Sequence, residues 1–220
     1  IINYAMRLNF LVVFFLTVEM LAAQENYPQD AFQSPLEIPL VLAGTFGELR
    51  SDHFHSGIDI KTQQREGLPV LAVADGTVTR IKVSLWGYGK VIYVAHPNGY
   101  TSVYGHLKKF GPELEEYVKK VQYGKQSYEV EIFPDYGELK VAKGSVIAYS
   151  GNTGGSAGPH LHFEIRSSIT EKPTNPLLYG YEVRDATNPT VLGLFGYPLS
   201  DNALVNQSAR TVQINFTKQP

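Results

Sequence analysis

Two histidines flank one leucine in His160-Leu161-His162, within the run Gly158-Pro159-His160-Leu161-His162-Phe163-Glu164-Ile165-Arg166. In a β-strand, residues i and i+2 point to the same face. The spacing therefore places both imidazoles over one site and turns Leu161 and Phe163 toward a core. Upstream, His53-Phe54-His55-Ser56-Gly57-Ile58-Asp59 repeats the His-x-His step and adds a carboxylate four residues after His55. Imidazole and carboxylate together suit a divalent metal such as Zn²⁺, which in catalytic sites takes three protein ligands and leaves a position open. His55, Asp59 and one histidine of the later pair make such a set. A further histidine lies in Tyr104-Gly105-His106-Leu107.

Short apolar runs punctuated by glycine must position these groups. They fall at 70–74, 76–83, 90–96, 101–106, 145–150 and 160–166, and Asp75-Gly76 and Asn98-Gly99 are hairpin signals because both residue types tolerate positive φ. The expected fold is mainly β and antiparallel, with little helix. One segment, 111–139, breaks the pattern: Leu114, Tyr117, Val118 and Val121 have helical spacing, and residues 128–133 alternate as a strand does. It reads as an insertion beside the site. An early strand is expected within 36–42, at a sheet edge because of Pro39. Two more apolar runs, 191–197 and 211–216, are too few for an independent β domain and read as the start of a further β region truncated at the C-terminus.

The 220 residues carry 19 Lys and Arg against 21 Asp and Glu, so the charge balance offers no electrostatic support for a nucleic-acid partner. The absence of cysteine excludes disulfides, a thiolate metal site and a lipid-modified N-terminal cysteine. At the N-terminus, Met6-Arg7 precedes an apolar stretch from Phe10 to Leu16, and Ala22-Ala23-Gln24 has the small residues of a cleavage site. Residues 1–23 thus read as a secretory signal peptide, too short and too interrupted by Glu19 for the roughly 20 apolar residues of a spanning helix. No stable membrane span is expected once it is cleaved, and residues 24–43 follow as a linker and edge strand.

The ordered set His55-x-x-x-Asp59, Tyr104-x-His106-Leu107 and Gly158-Pro159-His160-Leu161-His162-Phe163-Glu164 resembles the LytM/lysostaphin-type zinc metallopeptidases, peptidase family M23. The flanking segments 67–78, 89–100 and 144–154 agree with the strand–turn–strand pieces of that family, and the resemblance covers roughly residues 44–178. The wording of Phe46-Gly47-Glu48-Leu49-Arg50 looks closest to envelope members from Bacteroidetes-like bacteria. The resemblance implies a duplicated-hybrid-motif-like antiparallel sheet. It implies Zn²⁺ held by His55, Asp59 and His162, with His106 and His160 as the catalytic pair that faces the water and the scissile group. Which of the two is the base stays open. It implies a secreted endopeptidase of the periplasm or cell envelope that hydrolyses peptidoglycan stem peptides or cross-links, and an envelope regulatory protein as a further partner. The rival from another class is a non-catalytic LytM-like module that binds or activates other wall hydrolases. Such modules typically lose ligand residues, and here all survive.

Other residues have plainer readings. His53 shares the strand parity of His55 but has no ligand role in the family pattern, and reads as a surface or outer residue. His96, before a hairpin, reads as structural. Arg50 and Tyr104 are expected to line the substrate groove, Asp75 to serve a turn, Glu164 to lie at the strand exit or behind the ligands, and Gly57 to let the chain turn tightly between His55 and Asp59.

Overall fold

The structure is a computed structural model that describes residues 27–183, 193–205, 207–208 and 210–214. The expected signal peptide lies outside the described residues. The chain divides into two units, Ile1–Arg184 and Asp185–Pro220.

The first unit is built on one large antiparallel sheet. Its strands are β1 (Leu42–Gly44), β2 (Ile58–Lys61), β4 (Gly76–Val83), β5 (Lys90–Ala95), β6 (Tyr100–Gly105), β8 (Val130–Ile132) and β11 (His160–Ser167), ordered β1-β2-β11-β6-β5-β4-β8. The short strands β9 (Lys140–Val141) and β12 (Pro173–Thr174) pair with β4 and β11. A smaller sheet, β3 (Pro69–Leu71), β10 (Val146–Tyr149) and β7 (Lys109–Phe110), has the order β3-β10-β7. The expected mainly β, antiparallel architecture is what the chain forms. The early strand falls at Leu42–Gly44, later than the 36–42 run predicts, and it does sit at a sheet edge.

Strand parity sorts the faces of the large sheet. Ile58 and Ile60 of β2, Leu161, Phe163 and Ile165 of β11, Ile92 and Val94 of β5 and Tyr104 of β6 join Val70, Phe110 and Ile147 of the small sheet in one buried cluster. Full burial of such side chains contributes about 1.5–3 kcal/mol each. The alternate residues of β11, namely His160, His162, Glu164 and Arg166, stand on the opposite face. So does Asp59 of β2, directly across the ladder from His162.

Within 111–139, helix α1 spans Pro112–Lys125. Proline in the first turn and Glu113 and Glu115 near the helix N-terminus favour its start, and the Glu115 carboxylate accepts from the Phe110 N–H. Leu114 and Val118 are the buried residues of α1. β8 then extends the large sheet beyond β4. No residue of 111–139 lines the cleft described below. In the second unit, β13 (Leu194–Gly196) and β14 (Val212–Ile214) pair antiparallel.

His96 is a buried structural group. Its Nδ1 lies 2.9 Å from the Asp75 carbonyl and its Nε2 2.8 Å from the Ser102 hydroxyl, which bonds in turn to Tyr104. The carbonyl can only accept, so Nδ1 carries the proton. Burial pushes the His96 pKa down. A histidine whose folded pKa lies below its unfolded value of about 6.5 takes up its proton more readily when unfolded. Stability contributed by neutral His96 is therefore full above about pH 6.5 and falls as pH drops toward the lowered folded pKa. In His96→Asn, the dependence of unfolding free energy on pH just below 6.5 is expected to flatten, as read from denaturant melts at several pH values.

Candidate metal centre and cleft

Asp59 and His162 meet because β2 and β11 pair in the register His162↔Asp59. His55 arrives from a short hairpin in which the Gly47 N–H donates to the His55 carbonyl and the His55 N–H donates to the Glu48 carbonyl. Gly57 lies between them and has no left-handed φ. A Cβ there would meet the Phe163 carbonyl oxygen and the Glu164 Cγ. Gly57 sits at a bend, as expected, and its missing Cβ also lets the chain approach β11 closely.

His106 is placed by strain. Its φ is +55°, the left-handed region that non-glycine residues seldom occupy. Gly105, the last residue of β6, pairs with His162, and the left-handed step after it breaks strand alternation. His106 then lies 4.7 Å, centroid to centroid, from the tilted His160 ring and 5.8 Å from the edge-on ring of His162. All four imidazoles line one cleft of about 700 Å³ together with Arg50, Tyr88 and the 155–159 loop.

Each imidazole is held at its outer nitrogen by an acceptor. His55 Nδ1 lies 2.8 Å from the Thr45 carbonyl, His106 Nδ1 2.8 Å from the Thr153 carbonyl, and His160 Nδ1 2.8 Å from the Gly158 carbonyl. His162 Nε2 lies 2.7 Å from Glu164 Oε1. The protons therefore sit on these outer nitrogens, and in the neutral rings the other nitrogen carries a lone pair. Three such donor atoms converge: His55 Nε2, His162 Nδ1 and Asp59 Oδ1 stand 3.0–3.1 Å from one another. Lone pairs this close repel unless a cation lies among them. The donor set of two imidazoles and a carboxylate, all buried, fits a divalent metal.

The titration behaviour agrees. Burial alone would raise the Asp59 pKa, but its contacts with the His160, His162 and His55 imidazoles carry it well below the usual carboxylate range. Burial would lower that of His162, yet hydrogen bonds to Asp59 and Glu164 raise it. Burial pushes His106 down to about 4. It is thus neutral at physiological pH and able to accept a proton.

Behind His162, Glu164 is fully buried and fully occupied. Its Oε1 accepts from His162, Ser56 Oγ at 2.6 Å and Tyr88 Oη at 2.5 Å, and its Oε2 accepts from Arg166 Nε at 2.5 Å. Burial pushes the Glu164 carboxyl up, but His162 and Arg166 outweigh it and bring it down to about 2. A carboxylate behind a metal-binding imidazole fixes the tautomer and raises the basicity of the ring, and its loss typically costs 10–100-fold in metal affinity. Glu164→Gln is expected to lower affinity by about that factor, measured by competition with a chromogenic chelator.

The candidate residues thus come together: His55, Asp59, His106, His160 and His162 share one cleft. His53 is exposed at its margin, with its Nδ1 2.6 Å from Asp52 Oδ1. Asp75 is a turn carboxylate that accepts from the Lys143 N–H. Arg50 lines the cleft as expected. Tyr104 does not: it is fully buried on the core face and its hydroxyl accepts from the Val73 N–H. Tyr88, Ser56 and Arg166 escaped the sequence reading. Of these only Arg166 left a signal, the strand parity it shares with His162.

The family model for Peptidase family M23 matches residues 53–126 and 136–176. The DD-carboxypeptidase/endopeptidase Mpg of Neisseria meningitidis serogroup B is 35% identical over 129 residues, 59% of this chain and 23% of that protein. The murein hydrolase activator NlpD of Escherichia coli is 33% identical over 135 residues, 61% of this chain and 28% of that protein. The match therefore spans about a quarter of the length of these relatives. In fold alone, a chain of the SpoIIQ–SpoIIIAH pore forming complex is similar, with TM-score 0.50 and 21% identity over 69% of this chain and 91% of that one. With the family model covering more than half of its residues, the chain belongs to peptidase family M23.

Proposed function

We propose that this chain is a zinc metallo-endopeptidase that hydrolyses peptide bonds in peptidoglycan stem peptides or cross-links. The observation that carries the reading is the convergence of three lone-pair donors beside two further imidazoles on an open cleft. His55 Nε2, Asp59 Oδ1 and His162 Nδ1 would hold the ion. A divalent zinc held there supplies Lewis acidity toward the scissile carbonyl and acidifies water at the site.

The chain's own residues do the rest. Buried, neutral His106, fixed by the Thr153 carbonyl, accepts a proton. His160, fixed by Gly158 with Nε2 3.4 Å from Asp59 Oδ1, donates from Nε2 in its protonated form to the oxygen or amine that develops charge. The assignment between the two rings can be reversed without changing the reading. Likeness to Mpg, named a DD-carboxypeptidase/endopeptidase, supports the substrate class, and likeness to NlpD supports an envelope location. Residues 1–23 acting as a signal peptide would deliver the chain there.

Likeness to NlpD, named an activator, also supports a second reading, a module that stimulates other wall hydrolases. The intact five-residue set favours the enzyme. The test is digestion of purified peptidoglycan with zinc-loaded protein, followed by mass spectrometry of the muropeptides. Cross-linked species are expected to fall and uncross-linked ones to rise. Unchanged muropeptides, the same as those left by His162→Ala, would refute the enzyme. Stimulation of an added amidase under those conditions would establish the activator.

A further inference from the structure

Among the described residues, the cleft wall has a single Lys or Arg side chain, Arg50. Its Nη2 donates to Asp59 Oδ2 at 2.8 Å and to Glu48 Oε2 at 3.3 Å. Asp59 thus divides its oxygens: Oδ1 faces the imidazole nitrogens and Oδ2 faces the guanidinium. The cluster is seated on Gly44, where a Cβ would collide with both Arg50 Nη2 and Asp59 Oδ2. The backbone is therefore bare where the guanidinium lies, and a side chain at position 44 would crowd it. About a third of its side chain, 36%, stays exposed. Its Nε is buried and closed to the cleft, whereas its Nη1 is not buried and has no hydrogen bond among the described residues. An accessible guanidinium nitrogen without an acceptor at the wall of a cleft can take one from a bound molecule. A planar fork of donors suits a carboxylate in particular.

Distance fixes which carboxylate. The Asp59 carboxylate touches the guanidinium through Oδ2 and the imidazoles of His55 and His162, around which the scissile carbonyl would bind, through Oδ1. Adjacent Cα atoms are about 3.8 Å apart, so a group anchored by Arg50 belongs to a residue next to the scissile bond. We propose that Arg50 anchors the free α-carboxylate of the residue on the amine side of that bond. The chain then selects peptides whose leaving residue carries a free carboxylate over those in which it is amidated or continues as peptide. This rests on the peptidase reading of the same site. The reaction is hydrolysis: the acyl carbon gains the hydroxyl of water, the C–N bond breaks, and the amine leaves with the proton.

The test uses two synthetic cross-linked peptide dimers, identical except that the α-carboxylate of the residue supplying the amine is free in one and a carboxamide in the other. Binding is measured by calorimetry on zinc-loaded His106→Ala protein with and without Arg50→Gln. Turnover is measured on the zinc-loaded wild-type chain, Arg50→Gln and Arg50→Lys. A charge-assisted contact of this kind predicts a preference of at least about tenfold for the free carboxylate, in binding and in kcat/KM. Arg50→Gln should bring that ratio to near one with zinc content unchanged, and Arg50→Lys should retain part of it. Equal treatment of the two dimers by the wild-type site would overturn the proposal. So would an Arg50→Gln protein that weakens both dimers alike, since Arg50 would then act only by holding Asp59. Selective binding without any turnover would leave the carboxylate anchor standing and refute the peptidase.

Discussion

Replacing His162 with alanine is expected to abolish metal binding. The ring is the most enclosed of the four imidazoles, set between Asp59 Oδ1 and Glu164 Oε1. Without it the donor set falls to His55 and Asp59, too few for the three protein ligands of an open zinc site. The loss should exceed the 10–100-fold expected of Glu164→Gln, because a ligand is removed and not merely its support. Asp59→Ala should behave alike and in addition release Arg50. Elemental analysis after dialysis against limiting zinc reads the loss directly. A second readout follows from linkage. An ion that binds only the folded chain raises its thermal midpoint by mass action, so zinc should raise Tm for the wild-type chain and leave that of His162→Ala unmoved. Retention of stoichiometric zinc by His162→Ala would place the site elsewhere.

The opposite pattern is expected for His106→Ala and His160→Ala. Neither ring belongs to the three converging donors, so zinc content should match that of the wild-type chain. Turnover of cross-linked muropeptides should fall by roughly 10²–10⁴, the usual contribution of a positioned proton-transfer group. His106 is the more telling of the two. Its pKa, pushed down to about 4 by burial, leaves it unprotonated across the neutral range. It is held at +55° in φ, so even His106→Asn, which tolerates that backbone, should keep the fold and the metal while losing rate. Loss of zinc in either variant would break the division between metal-holding and proton-handling rings. The readouts are metal content and kcat determined on the same preparations.

Much of the site was legible because β-strands alternate. His160 and His162 share a face with Glu164 and Arg166, and Leu161, Phe163 and Ile165 go to the core, as the period of two requires. Tyr104, expected to line the groove, does not. In the fold it pairs with Phe163 and is buried with it, because the left-handed backbone at His106 ends the alternation. No pattern of side-chain types announces that φ. The supports of the other imidazoles were hidden for a related reason. The carbonyls of Thr45, Thr153 and Gly158 are backbone groups, which any residue offers, and only the path of the loops decides which one faces a ring. Tyr88 sits between two glycines in a connection, a place where sequence specifies turn geometry better than side-chain direction. The helix of 111–139 was visible in its spacing, whereas the segment's absence from the cleft lining followed only from the way β8 adds to the far edge of the sheet.

The pairing of Asp59 directly opposite His162 has a consequence for how the chain reaches its native state. Sliding β2 past β11 by a single residue would set Asp59 opposite an apolar residue of β11 and send one of the two to the wrong side of the sheet. Chains that zipped up out of step would present no trio of donors and capture no ion. Binding would thus act as a proofreader of assembly, drawing the population toward the one alignment that can be filled. The zinc content of a refolded sample would then count correctly aligned molecules, whatever its average secondary structure.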